Sequence, residues 1–258
     1  MGKFFYSQTS VKDLEKEETC PYRWKSQWLD GLIPFTSNED MDKGSYFEWL
    51  FIGAGAITGK EITDLPRLQT GAKSTDQIRI EAQAERAKRL FNPEDPEYLG
   101  FKMGRVQLRY NIGNQVGTID IEAFDQEGTP WVIDVKLTKD LTSDRSKYGW
   151  GNDWASLDLL QQIHYESLYE KHEGVKPKMG LLVFDYSPAK RISFGELVIS
   201  DAKKAEKELR FKAAEEAVNL YTKNGWVKIP NLKECDNCPL VCSERIHKSP
   251  ISKKLIQY

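Results

Sequence analysis

No stretch of this chain approaches the roughly 20 consecutive apolar residues that a membrane-crossing helix needs. The longest candidates, residues 180–184 and the glycine-broken 49–57, fall well short. The opening residues lack the layout of a secretory signal, and Tyr6 stands where myristoylation after Met1-Gly2 would require Ser or Thr. The expectation is a cytoplasmic protein without membrane contact. No charge of one sign dominates either: 37 Lys and Arg face 39 Asp and Glu, a net of −2. That balance argues against coating nucleic acid non-specifically, yet permits a local basic groove. Internal repeats and low-complexity linkers are absent. With 29% charged and 40% hydrophobic residues over 258 positions, the composition is neither disordered nor fibrous.

A phosphate loop is missing as well. Residues 53–60 suggest one superficially, but the glycines are not five apart and Glu61 replaces the required Ser or Thr. Histidine is scarce, and His164, His172 and His247 show no metal spacing, so all three are read as structural or exposed.

Cysteine is scarce but unevenly placed. Cys235, Cys238 and Cys242 form a C-x2-C-x3-C cluster, while Cys20 stands near the other end of the chain. Disulfides are rare in the cytosol, and four converging thiols are what zinc or an iron–sulfur cluster demands. The spacing leaves zinc, iron–sulfur and an unrelated buried Cys20 thiol all open. If the four do meet, the link closes nearly the whole chain, worth about 5 kcal/mol in the chain-entropy picture.

Helical spacing covers residues 11–18 with Ser10 as N-cap, 22–29 after Cys20-Pro21, 40–55, and 75–90 with Ser74 or Asp76 as cap. From Arg105 the period changes to two. Strands are predicted over 105–111, 116–123, 130–137, 178–185 and 191–199, with a helix over 154–171 after the third and a charged amphipathic helix over 201–222. The fold class expected is mixed α/β (α+β), a central mixed sheet flanked by helices. We read one domain, 1–258. It comprises a helical region 1–95 with Cys20, a core 96–225, and a segment 226–258 holding the cysteine trio and a basic tail with Arg245, Lys248, Lys253 and Lys254.

Between the second and third strands, Gly128 suits the left-handed position of a short hairpin loop. If Asp125 faces Thr129, the register carried along the ladder sets Asp120 opposite Asp134 and Thr118 opposite Lys136. Ile119, Ile121, Ile133, Val135 and Leu137 then alternate onto the other face. Two carboxylates that close repel unless something positive sits between them, and Mg²⁺ or Mn²⁺ is the simplest occupant. Lys136, on the same side, can hold a water and offset charge on a phosphate. A solvated strand face bearing the same residues is the ordinary alternative, which the run Trp131-Val132-Ile133 weakens. Gln161 and Tyr165, four apart, share a helical face and are placed to touch a phosphate or brace Lys136. Residues 139–153, with Arg145, Lys147, Tyr148, Trp150 and the nearby Trp154, mix cations with rings as a single-strand platform would, though plain loop packing explains them equally.

Together these motifs resemble the PD-(D/E)xK nucleases of the RecB-like branch, especially the CRISPR-associated iron–sulfur exonucleases and their phage-encoded relatives. Gly117-x-x-Asp120 matches the second family motif, Asp134-Val135-Lys136 the third, and Gln161-x-x-x-Tyr165 the fourth. At the first, Gly44-Ser45-Tyr46-Phe47-Glu48 offers Glu48 where many members carry a histidine. Residues 6–10 followed by Thr19-Cys20-Pro21-Tyr22-Arg23-Trp24 resemble the segment that carries the first cluster cysteine. The resemblance implies a restriction-endonuclease-like core and a metal-dependent deoxyribonuclease acting on single strands or DNA ends. It implies Glu48, Asp120 and Asp134 as metal ligands, with Lys136, Gln161 and Tyr165 completing the catalytic set. It further implies a 4Fe-4S cluster on Cys20, Cys235, Cys238 and Cys242. Recombination, repair or CRISPR-type spacer processing would be the task, with a recombination or integration protein as partner and self-association as a companion expectation. The reading from another class is a nucleic-acid-binding or assembly subunit with a weak nuclease site and a structural metal.

Overall fold

Alternating β-branched and aromatic residues from Lys102 onward build a five-stranded sheet, and the helical spacings on either side of it supply its cover. The computed structural model describes residues 4–16, 19–34, 37–53, 64–141, 157–226 and 228. Among them the elements run α1 (Gln8–Leu14), α2 (Pro21–Trp28), α3 (Glu39–Ile52), α4 (Thr75–Arg89), β1 (Lys102–Ile112), β2 (Gln115–Phe124), β3 (Pro130–Thr138), α5 (Leu160–Glu173), β4 (Lys178–Asp185), β5 (Ile192–Leu197) and α6 (Asp201–Asn224). The mixed α/β class and the order of elements are those expected. The chain divides into two units, residues 37–205 and the terminal segments 1–36 with 206–258.

In the larger unit the strand order is β1-β2-β3-β4-β5. All neighbours are antiparallel except β3 and β4, whose parallel pairing requires the crossover that α5 provides. β4 is the most continuously buried strand, and β2 and β3 each have a fully buried run of five residues, because helices cover both faces of the sheet. On one face Phe47 and Phe51 of α3 and Ile80, Ala84 and Ala87 of α4 pack on Ile121, Ile133, Val135 and Phe184. On the other, Tyr165, Leu168 and Tyr169 of α5 pack on Tyr110, Ile119, Val132 and Met179.

Ile119 thus lies in the α5 cluster rather than sharing a face with Ile121 as strict alternation predicts. On β1 the same change separates Val106 from Leu108. Between them sits Gln107 in a left-handed conformation (φ 49°), just beyond a register shift between Met103 and Val106. A bulge of this kind adds local twist and re-aims the side chains that follow it.

Helix ends follow capping chemistry. Asn38 caps α3 by accepting the Met41 N–H at 2.9 Å, and Gly53 (φ 67°) stops it before residue 55. Ser74, not Asp76, caps α4. α1 begins ahead of the predicted start: Ser7 is the cap and Ser10 its reciprocal partner, an exchange of two hydrogen bonds at 3.2 and 3.1 Å.

In the terminal unit, buried Trp24 donates its Nε1 proton to the Ser10 carbonyl at 2.9 Å. Trp226 stacks on the same indole, 5.9 Å between centroids and 9° between planes. Lys228 lies 5.0 Å over the Tyr22 ring, and Arg210 grips Glu15 through two bonds of 2.8 and 2.6 Å. No helix among the described residues is long and apolar enough to cross a membrane.

Buried Glu122 on β2 accepts from Arg105 at 2.7 and 2.6 Å and from the Tyr169 hydroxyl at 2.8 Å. The Arg105 hydrogen bonds hold this carboxyl below its usual range. A depressed folded-state value stabilises the protein above the ordinary glutamate pKa of about 4.3. That stabilisation disappears as the pH falls through the depressed value. Arg105→Met is expected to lower the melting temperature at pH 7 and to flatten its fall between about pH 5 and 3. Thermal unfolding of both proteins across that range checks this; parallel curves would contradict it.

Candidate active site

The site begins with a turn. Asp125 donates its N–H to the Thr129 carbonyl at 3.1 Å, and its Oδ1 accepts the Thr129 N–H at 2.8 Å while Gly128 takes φ 79°. This closes β2 on β3 with Phe124 opposite Pro130, Ala123 opposite Trp131, Glu122 opposite Val132 and Ile121 opposite Ile133. That is the register the loop predicts.

Beyond Ile121 and Ile133 the ladder stops, so the extrapolated pairing of Asp120 with Asp134 and of Thr118 with Lys136 does not form. The Asp120 side chain takes the place of the missing partner: its Oδ2 accepts the Val135 N–H at 2.8 Å. A buried N–H must be bonded, and a carboxylate satisfies it while holding the strands apart. β3 keeps its other neighbour, remaining paired with β4 through Thr138.

Asp134 is fully buried at this break. Lys136 Nζ lies 2.7 Å from both of its oxygens, and Gln162 Nε2 of α5 donates to Oδ2 at 2.8 Å. Gln161 instead donates to the Tyr165 hydroxyl at 2.9 Å, so this pair shares a helical face as expected but makes no hydrogen bond to Lys136. Gln162 lies outside the sequence motifs. It is one of three buried polar residues in the run 162–166, with His164 and Glu166, and burial is not visible in the sequence.

Glu48 enters from α3. Burial pushes its carboxyl up to about 7, with Lys136 opposing and Asp134 adding to the rise. Burial likewise pushes Asp120 up, reinforced by Glu48 and Asp134. Lys136 stays above its usual range because Asp134, Asp120 and Glu48 together outweigh its burial. Burial raises Tyr165, which also feels Asp120 and Asp134. The structure therefore brings Glu48, Asp120, Asp134, Lys136 and Tyr165 into one electrostatic neighbourhood, with α3 reaching it from one face of the sheet and α5 from the other.

Among the described residues, no group of three or more His, Cys, Asp and Glu side chains is arranged to hold a metal ion. The hydrogen bonds account for that: Asp134 is turned to Lys136 and Gln162, and Asp120 to Val135. Cys20 sits partly buried at the N-cap of α2. Cys235, Cys238 and Cys242 lie outside the described residues, as do Arg145, Lys147, Tyr148, Trp150, Trp154 and the basic tail. His164, read as structural, is buried with Nε2 2.9 Å from the Val116 carbonyl oxygen.

The PD-(D/E)XK nuclease superfamily profile matches residues 8–242. The chain belongs to that superfamily. Among solved structures, one named "Putative exonuclease" from Eubacterium rectale superimposes with a TM-score of 0.61 at 16% identity, over 96% of this chain and 94% of that one. Another, SSO0001, gives 0.36 at 15% identity over 94% and 87%. No curated protein matches. At such identity the first likeness concerns the fold, a restriction-endonuclease-like core with a mixed sheet between helices. Membership of the PD-(D/E)XK superfamily makes the chain a nuclease, and the acid-x-lysine pattern in the superfamily's name is met here by Asp134-Val135-Lys136.

Gly117, ahead of Asp120, shows why this PD-(D/E)XK chain carries glycine there. A Cβ would lie 2.7 Å from Leu168 Cδ1 and 3.1 Å from Tyr165 Cε1, so α5 rests directly on the β2 backbone. Gly117→Ala is expected to displace α5 and cost about 1–3 kcal/mol, the usual penalty of overpacking. Urea unfolding measures it; an unchanged midpoint would show that α5 is not seated on this backbone.

Proposed function

We propose that this nuclease is a metal-dependent deoxyribonuclease that degrades DNA from an end or along a single strand. The observation that carries the reading is the break in the β2–β3 ladder, where Asp134 holds the Lys136 ammonium and the Asp120 and Glu48 carboxyls act on it electrostatically. Carboxylate oxygens are the donors that Mg²⁺ or Mn²⁺ prefers. Burial is the main reason the Glu48 and Asp120 carboxyls are raised, and neighbouring carboxylates add to the rise. The donor set therefore fits a hard dication, which Glu48, Asp120 and Asp134 would hold. When bound, such an ion lowers the pKa of a water and offsets phosphate charge.

The chain's own groups do the remainder. Lys136 orients the attacking water and faces the phosphate as negative charge grows on it. The Tyr165 hydroxyl accepts from Gln161, which leaves its own proton for another acceptor, in this reading the phosphate. The water oxygen gives up a proton and bonds to phosphorus, the bond from phosphorus to the 3′ oxygen breaks, and that oxygen takes up a proton in return, leaving 5′-phosphate and 3′-hydroxyl ends. The name of the Eubacterium rectale structure favours action from ends.

End-labelled single- and double-stranded DNA with Mg²⁺ or Mn²⁺ tests the reading. Progressive shortening is expected, and its loss in Asp134→Ala, with DNA binding retained. Cleavage that survives this substitution refutes the site, and internal cuts without shortening refute end-directed action.

The proposal extends to a 4Fe-4S cluster on Cys20, Cys235, Cys238 and Cys242, the whole chain acting as one nuclease. Its support is local. Trp24 and Tyr22, within the turn that Cys20 opens, are covered by Trp226 and Lys228, which precede Cys235 in the sequence. Protein purified without oxygen is expected to absorb near about 400 nm, and Cys20→Ser to lose both that absorbance and thermal stability. Colourless protein with bound zinc would overturn the cluster.

A further inference from the structure

We infer that Gln162, which lies outside the four motifs, is a positioning residue that aims the Asp134 carboxylate; this rests on the reading of Asp134 given above. Gln162 is only 2% exposed, and its Nε2 reaches Asp134 Oδ2 at 2.8 Å from a different element, α5. A primary amide that deep is costly to bury unless it is hydrogen-bonded, so this bond fixes its rotamer. The bond in turn fixes the carboxylate. Lys136 approaches from β3 across both oxygens, and Gln162 adds a donor on Oδ2 alone. Two donors from two directions determine the plane of the group, where Lys136 by itself leaves it free to rotate under the ammonium.

The residue type fits the task. A second lysine or an arginine would cancel the negative charge of Asp134, and a glutamate would add a carboxylate to a site already short of positive charge. A leucine or methionine would fill the space without aiming anything. Asparagine is one methylene shorter and falls short of a contact already at hydrogen-bond length. The neutral amide orients Asp134 and leaves its charge intact, as groups behind metal-ligating side chains do. Gly117 contributes by letting α5 come down onto β2, which sets the height from which Gln162 reaches β3.

Gln162→Met, similar in length but without the N–H, tests this in the full-length protein. Three readouts are taken together: melting temperature, Mn²⁺ affinity by electron paramagnetic resonance of the free ion, and steady-state cleavage of single-stranded DNA. The expected result is a melting temperature close to the parent, Mn²⁺ affinity weakened about tenfold, and kcat down roughly 10–100-fold with KM for DNA unchanged. Parental Mn²⁺ affinity and kcat would overturn the inference. Should Gln162→Met fail to fold, Gln162→Glu replaces it, turning the atom that faces Asp134 from donor to acceptor, and parental values there are equally fatal. Asp134→Ala separates the two readings. If it cleaves normally, the site assignment fails, whereas if it is inactive and Gln162→Met is not, only the role of Gln162 falls.

Discussion

One backbone amide governs the arrangement of the site. Where the β2–β3 ladder ends, the Val135 N–H has lost its strand partner, and the Asp120 carboxylate supplies the missing acceptor at 2.8 Å. A carboxylate in that position does two things at once: it satisfies a buried donor and holds β2 away from β3. Asp134 and Lys136 of β3 lie at that break, and Glu48 of α3 shares their electrostatic neighbourhood. A hairpin that stayed zipped would have spent the same stretch on ladder hydrogen bonds. The turn at Asp125 fixes where the zipping starts, so it also fixes which residues lie past its end.

The charge balance follows from that geometry. Three carboxylates share one ammonium in a place from which water is largely removed, and burial raises Glu48 and Asp120 in consequence. The neighbours from α5 are neutral: Gln162 on Asp134, and Gln161 with Tyr165 alongside. Neutral donors fix direction without neutralising charge, whereas the charged contacts of Arg105 and Lys204 go to Glu122 and Glu166, away from the break.

Much of this is legible in the residue string because it depends on local chemistry. The change of period at Arg105 marks the sheet, and the Asp125–Gly128 turn sets a register that the paired residues obey. What escapes is whatever depends on the third dimension. The end of the ladder is not encoded by alternation, since a side chain replacing a backbone partner looks the same in sequence as one pointing away. Ile119 changes face because of the twist that begins at Gln107, a conformational event that hydrophobic spacing does not register. Ser10 resembles a cap because it precedes an apolar residue, but the reciprocal bond with Ser7 starts the helix earlier. Gln162 sits beside a motif glutamine and differs from it only in the side of α5 on which it falls.

The bulged first strand has a consequence away from the site. Among the described residues β1 is the outermost strand on its side, and an unpaired rim of amides and carbonyls is a ready template for another chain. The shift between Met103 and Val106 and the left-handed Gln107 break the even spacing of that rim, and exposed Lys102 and Arg109 lie along the strand. A strand so interrupted is a poor surface for sheet extension, which protects the molecule against edge-to-edge aggregation.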